Sequence, residues 1–418
     1  MESTDATLKQ LEPSAPRTRA GRWPEIDLLR ALAGALMVAN HAGVAWLPRG
    51  DGGTLNGALT FIGSLAPVFF FTVTGLGRGV QSIGRAPKPL GDSLWKTFVL
   101  LLADAALWLS PSRHVGLDFL GFIGLAGLAL ELCERTRRPV ATIAAAAAAT
   151  LVLRFGLAPR LHLAPDGGSA LGLAHFVLGD FSVPGVSYPL CPWLAYPLCG
   201  WLIGRLAAAR SQLIRAAPGR AAGMTATLAA AGLAFCLMLF ERHAVFFRWG
   251  TLSFAYAMLG FAAVLAGLAL VLAAAPRLGR AIGVLSLPGI ASFVLVPLHY
   301  AFVELLRPSM AEVLGRQPAF FALALLVLVP VVFAASKRID RATRRLGRLG
   351  AGSARVVSGG LLFSVMALLA LQLTVELGPT RLAVGLLAQL LATGLFVLSS
   401  TPAAARPPAA PLGAAAPG

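Results

Sequence analysis

Long apolar runs alternate with short polar stretches carrying arginine or lysine along almost the whole chain. A helix needs about 20 apolar residues to cross a bilayer core. On that length the pattern predicts helices near 26–47, 56–77, 94–110, 115–133, 139–157, 186–207, 221–240, 250–274, 281–305, 319–336, 355–376 and 382–400. The basic residues provide an independent check, because cytoplasmic loops carry an excess of Lys and Arg. With the N-terminus inside, the predicted cytoplasmic segments hold 25 of them and the external segments nine, while Arg30 lies within a span. The expected fold class is therefore all-α, a polytopic transmembrane bundle of about 12 spans. It has a core of about ten spans and two C-terminal ones, with both termini cytoplasmic.

Composition strengthens this picture. Hydrophobic residues make up 57% of the 418 and charged residues 13%, about half the charge of a soluble domain. The net charge of +17 would suggest nucleic acid in a soluble chain. Here the charge sits in loops and reads as a topology signal, so membrane lipid is the expected partner and nucleic acid is not. Residues 1–22 read as a disordered cytoplasmic tail, 23–336 as the main transmembrane domain and 337–354 as a basic cytoplasmic loop. Residues 355–400 read as two additional helices and 401–418 as a disordered Ala/Pro tail. The first apolar run is too long for a signal-peptide core. Cys133, Cys191, Cys199 and Cys236 show no metal-like spacing and read as small buried thiols. No His/Asp/Glu cluster with ligand spacing appears, so no metal is expected.

Candidate chemistry lies inside the spans. Titratable groups in hydrocarbon are costly and persist where they face a protein interior or a wet cavity. The first span carries Asp27, Arg30 and His41. Eleven residues at about 100° each bring Arg30 and His41 to one helix face, about 16 Å apart along the axis. Asp27, three residues before Arg30, can neutralise it locally. By topology His299 lies in the outer half of its span, so the two histidines are expected to meet at one outer cavity with Arg30 below them. The run from Lys337 to Arg348 reads chiefly as a topology signal. Residues 158–185, the longest external segment, carry Arg160, His162, Asp166, His175 and Asp180, and both a substrate entrance and a simple cover over the bundle fit that segment. Gly75-Leu76-Gly77-Arg78-Gly79 follows no strand and is not a nucleotide loop.

An arginine and a histidine separated by ten residues in the first helix resemble the signature of the acyltransferase-3 family. Further segments resemble its relatives, the bacterial proteins similar to heparan-alpha-glucosaminide N-acetyltransferase. They are Ile26-Asp27-Leu28-Leu29-Arg30, Ala66-Pro67-Val68-Phe69-Phe70-Phe71, Asp118-Phe119-Leu120-Gly121-Phe122-Ile123-Gly124 and Tyr188-Pro189-Leu190-Cys191-Pro192-Trp193-Leu194. Ser292 to His299 is similar to a late-helix segment of both groups. Two helices follow the usual core.

The resemblance implies transfer of an acyl group, commonly acetyl, from cytoplasmic acyl-CoA to a hydroxyl or amine of a carbohydrate or glycoconjugate acceptor. It also implies a bacterial inner-membrane protein acting on the cell envelope. Histidine suits proton abstraction near neutral pH, so His41 is the expected general base, with an acyl-histidine as the alternative. Arg30 is expected at the thioester or pantetheine stem, oriented by Asp27, and His299 as a second catalytic histidine. Asp118 and Trp193 are expected at the substrate. Arg78, Arg85, Lys88 and Lys96, or the 337–348 run, are expected at the CoA phosphates. The cavity is expected chiefly between spans one, two, six and nine.

Structural readings stand beside each of these. His41 can snorkel to the interface, Arg30 and Asp27 can be a packing pair, and His299 can bond within the bundle. Asp118 can partner Arg113 or His114, and Trp193 can anchor at the interface. A transporter or flippase of envelope precursors, and a non-catalytic membrane scaffold, stay open as alternatives, as does homo-oligomerisation.

Overall fold

The computed structural model describes residues 23–48, 55–83, 89–108, 117–158, 176–178, 187–240, 254–347, 351–375 and 377–400. Lys88 and Arg85, the two tails, and the polar residues singled out in 158–185 lie outside the described residues. Among those described, the chain forms long helices and no strand. They are α1 (Pro24–Trp46), α2 (Leu55–Gly63), α3 (Ala66–Gln81), α4 (Leu90–Trp108), α5 (Phe119–Glu134) and α6 (Pro139–Val152). After these come α7 (Ala195–Ala209), α8 (Pro218–Phe240), α9 (Phe254–Leu278), α10 (Ala291–Arg316), α11 (Phe320–Gly347), α12 (Ala351–Thr374) and α13 (Arg381–Ser400). Proline in the first turn helps to start α1, α3 and α6, where the missing N–H costs nothing.

Each predicted apolar run falls on a helix, with α2 and α3 together forming the second run. Eight helical stretches are long and apolar enough to cross a membrane: α1, α2–α3, α6 with its continuation to Leu157, α8, α9, α11, α12 and α13. The remaining four explain themselves by sequence. Helices α5 and α7 are short, α4 carries Asp92, Lys96 and Asp104, and α10 carries His299, Glu304, Arg307, Glu312 and Arg316. Three of these four helices, α4, α5 and α10, supply much of the site described below.

Two boundaries differ from the sequence reading. Helix α10 begins at Ala291 rather than 281, because Ser286-Leu287-Pro288 is extended, and it runs on through Pro308 to Arg316. Helix α11 continues through Lys337 to Gly347, where a basic loop was expected. An Asp340–Arg344 pair one turn apart (3.0 Å) supports that extension, and the Lys337 ammonium donates to the Val284 carbonyl at 2.5 Å.

Helix α3 packs along α7 through four glycines. A Cβ on Gly75 would stand 1.8 Å from the Pro197 carbonyl oxygen, and one on Gly200 would stand 2.1 Å from that of Thr72. Gly79 and Gly204 extend the same seam, so the backbones touch without intervening side chains. Helix α1 is tied to the α10 region at both ends. The Leu287 N–H donates to the Asp27 carbonyl at 3.0 Å, and the Trp46 indole N–H donates to the Val303 carbonyl at 3.0 Å. Helix α13 is no peripheral addition. It packs against α4, α10, α11 and α12 and buries Ala388, Gln389, Ala392, Thr393, Leu395, Phe396 and Val397.

Candidate active site

His41 and His299 meet at the α1–α10 contact. His41 Nδ1 lies 2.6 Å from His299 Nε2, and His299 Nδ1 lies 3.0 Å from the Leu295 carbonyl oxygen. A carbonyl only accepts, so His299 Nδ1 carries a proton, and in neutral His299 Nε2 is then an acceptor. His41 must donate from Nδ1, which leaves its Nε2 with a lone pair. The Tyr300 hydroxyl, 3.3 Å away, donates to that nitrogen. Tyr300 also stacks on His41, with ring centroids 4.5 Å apart.

His41 and Tyr300 line a cavity of about 230 Å³ with Asn40, Pro67, Asp104, Leu107, Asp118, Phe119, Ser187, Tyr188 and Gln389. His299, fully buried, stands behind His41. Asp104 holds the start of α5, accepting from the backbone N–H groups of Asp118 (2.9 Å), Leu120 (3.0 Å) and Gly121 (2.6 Å). It thus fills the N-capping role that Asp118, the residue at the cap position, does not perform with its own side chain. Asp118 lines the cavity instead.

Trp193 is buried and lines neither this cavity nor the next. Its ring packs edge-on against Phe71 and Tyr188, at 5.7 and 5.0 Å, and so supports the Tyr188 wall. Arg30 is likewise outside the described lining of both cavities. Its guanidinium pairs with Asp27 at 2.7 Å and fills the space over Gly77 and Gly289.

A second cavity, of about 390 Å³, lies further along the same helices. Arg78, Gln81, Ser82, Ser93, Lys96, Thr97, Glu131, Glu134, Trp201, Arg205, Phe293 and Phe396 are among its lining residues. Arg78, expected to hold phosphate, is itself clasped. It bonds Glu134 at 3.0 and 2.6 Å, Glu131, and the Gly127 carbonyl at 3.0 Å. The Trp201 indole donates to Glu134 at 2.6 Å. Two carboxylates therefore balance the Arg78 charge, and Lys96 and Arg205 are the cations beside that ion-paired group. Arg205 lies over the Trp201 ring at 5.3 Å and reaches Ser82 Oγ at 3.2 Å.

The two cavities are stacked. Helix α4 gives Asp104 to the first and Leu100 to the second, α5 gives Phe119 and Ile123, and α13 gives Gln389 and Phe396. Four to seven residues of helix correspond to about 6–10 Å. Between Pro67 and Thr74 on α3 stand Phe70 and Phe71, whose rings pack on Phe119 at 5.3 and 5.4 Å.

The spans expected around the site all contribute, through Met37 and His41, Gly63 and Pro67, Ser187 and Tyr188, and Val296 and Tyr300. So do α4 and α13, which were not foreseen, and α5, which was foreseen only through Asp118. Tyr300, Asp104 and Gln389 were missed as site residues. Asp104 did carry a signal, being an acid in the middle of an apolar run. Among the described residues no group of three or more His, Cys, Asp or Glu side chains is arranged to hold a metal ion.

Comparison with protein families identifies the N-terminal half. The family described as heparan-alpha-glucosaminide N-acetyltransferase, catalytic, matches residues 22–245. No curated protein and no solved structure matches the chain. The matched segment contains Asp27, Arg30, His41, Asp104 and Asp118, whereas His299, Tyr300 and Gln389 lie beyond it.

Proposed function

The chain belongs to the heparan-alpha-glucosaminide N-acetyltransferase catalytic family and is a multi-pass membrane acyltransferase; from that premise we propose transfer of acetyl from cytoplasmic acetyl-CoA to a sugar hydroxyl or amine, with His41 as general base. The observation that carries this reading is the hydrogen-bond order from Leu295 through His299 to His41, which leaves a lone pair on His41 Nε2 at the cavity wall. The acceptor replaces the long Tyr300 bond and gives its O–H or N–H proton to Nε2 as its oxygen or nitrogen bonds the acyl carbon. The carbon–sulfur bond of the thioester breaks, and the departing CoA thiolate takes the proton from His41. His299 steadies the imidazolium by accepting from His41 Nδ1, much as a carboxylate does in a catalytic triad.

The donor set of the 390 Å³ cavity fits the cofactor's polar end: Lys96 and Arg205 for phosphate, with Gln81, Ser82 and Ser93 as hydrogen-bonding neighbours. We place that cavity on the cytoplasmic side, all twelve helical runs across the inner membrane and both termini inside, on the strength of the Lys/Arg distribution. Arg30 with Asp27 acts at the boundary between α1, α3 and the 286–290 connection, positioning rather than touching the acceptor. Asp118 meets the acceptor, while Trp193 acts only through Tyr188.

The test compares wild type with His41→Ala in nanodiscs, supplying labelled acetyl-CoA and an envelope-sugar extract. General-base removal costs about 10²–10⁴-fold in rate, so acceptor-dependent CoA release should fall by that much without loss of the folded protein. Turnover that survives the substitution sinks the assignment of His41. Failure of wild type to bind acetyl-CoA at all sinks the acetyltransferase reading and favours transport.

A further inference from the structure

Helix α11 leaves one face uncovered along its whole length. Its 28 residues measure about 42 Å, which exceeds the hydrocarbon core of a bilayer by about 12 Å. Leu323, Leu326, Val327 and Val331 are 45–72% exposed, the face that meets acyl chains in a membrane. At about 100° per residue, Arg338, Arg341 and Arg345 fall within the arc that these four occupy, and all three are exposed. They stand about 27–38 Å along the helix from Phe320, where hydrocarbon gives way to headgroups. The lipid-facing stripe thus turns from apolar to cationic without changing direction. In the orientation proposed above, this is the cytoplasmic end.

Nothing on the stripe balances its charge. Asp340, the acid of this stretch, is buried and taken by Arg344 at 3.0 Å. Among the described residues Arg338, Arg341 and Arg345 pair with no carboxylate; Arg341 Nε donates to the Lys337 carbonyl at 3.2 Å. The far end of α10 is different. There Arg307 pairs with Glu304 at 3.3 Å and Arg316 with Glu312 at 3.0 Å. A topology signal needs excess Lys and Arg on the cytoplasmic side. It does not need that charge aligned below a lipid-facing apolar stripe.

An apolar ledge lies beside the stripe. Lys337, at the stripe's edge, donates to the Gly283 and Val284 carbonyls at 3.4 and 2.5 Å. It so holds the helical turn Ile282–Leu285 against α11, and that turn leaves Val284 and Leu285 exposed.

We propose that the Arg338, Arg341 and Arg345 stripe is a binding site for an anionic phospholipid. The phosphate sits on the arginines, and the acyl chains run along Val327, Val331 and the Val284–Leu285 ledge. The planar fork of arginine suits a pair of phosphate oxygens. Cations adjoining an apolar surface at headgroup level select a ligand that is anionic at one end and apolar at the other. A soluble phosphate compound meets only half of this surface, and a zwitterionic lipid brings a cation with its phosphate. No residue of α11 lines either cavity, so the site stands whether or not the chain transfers acetyl.

The test uses the full chain in detergent, titrated with phosphatidylglycerol, phosphatidylcholine or glycerol phosphate, and reads the melting temperature. Wild type is compared with Arg338→Gln/Arg341→Gln/Arg345→Gln and with Lys at the same three positions. A control, Arg210→Gln/Arg215→Gln/Arg220→Gln, removes equal charge from exposed positions elsewhere. Phosphatidylglycerol should stabilise wild type at lower concentration than phosphatidylcholine, and glycerol phosphate should not stabilise it. A basic residue at an anionic surface is worth about fivefold, so the glutamine triple should need about 10²-fold more phosphatidylglycerol. The lysine triple should keep most of the response, and the control should lose far less than the glutamine triple. Should the glutamine triple not purify, Arg341→Glu alone carries the comparison, with an expected loss of about tenfold.

Equal losses from the stripe and control variants reduce the stripe to diffuse surface charge and overturn the proposal. Glycerol phosphate that matches the lipid overturns it in favour of a soluble anion. A glutamine triple with the wild-type lipid response also overturns it. If that protein in addition has a smaller mass by light scattering, the stripe is a contact between copies of the chain.

Discussion

His41 presents a proton-accepting nitrogen to the cavity because of what stands behind it. The Leu295 carbonyl sets the tautomer of His299, and His299 sets that of His41. Removing His299 therefore leaves the base in place but without its orientation. His299→Ala should lower kcat about 10–10²-fold, less than His41→Ala, and His299→Gln, which still offers a carbonyl to Nδ1, should recover part of the loss. In wild type, kcat should fall toward acid pH, since a proton on Nε2 removes the base. A pH–rate series of the three proteins checks both points, and a flat wild-type profile would exclude an imidazole base. The meeting of the histidines was legible from their spacing and topology alone. Tyr300 was not, because adjacent residues on a helix point about 100° apart and only the close stacking of three rings brings both to His41.

At the scale of elements, polar helices are positioned by apolar ones. The α3–α7 seam fixes the helix that carries Pro67 toward one cavity and Arg78 toward the other. A methyl group on Gly200 would collide with the Thr72 backbone, 2.1 Å away, and backbone cannot rotate aside as a side chain can. Gly200→Ala should therefore cost about 1–3 kcal/mol or more, read as a lower melting temperature with Arg78 and His41 intact; an unchanged value would mean that the helices separate freely. Gly200 and Gly204 stand four residues apart, a spacing that marks a packing face. Their partners were hidden, since nothing in the sequence shows that Gly75 and Gly79 face α7 until the two helices are laid together. The start of α10 was misplaced for a related reason: Ile282–Leu285 is apolar, but Pro288 and Gly289 break the run, and hydropathy does not register a break.

For the molecule as a whole, the number of helical runs was readable from apolar length, while the way they enclose space was not. By sequence the last two helices read as an extension beyond a finished core, yet α13 packs on α4 and α10 and walls both cavities. Truncation after residue 350 should therefore abolish acetyl transfer and yield a protein that does not purify as a single species, as size-exclusion chromatography in detergent would show. A truncated chain with wild-type turnover would return α12 and α13 to the periphery. This placement has a consequence in time. A ribosome adds about 5–20 residues per second, so roughly 350 residues separate His41 from Gln389 by about 20–70 s of synthesis. During that interval the first helix is already in the membrane with its histidine lacking the wall that will face it. The enzyme's chemistry thus becomes available only once α13 has been made and packed.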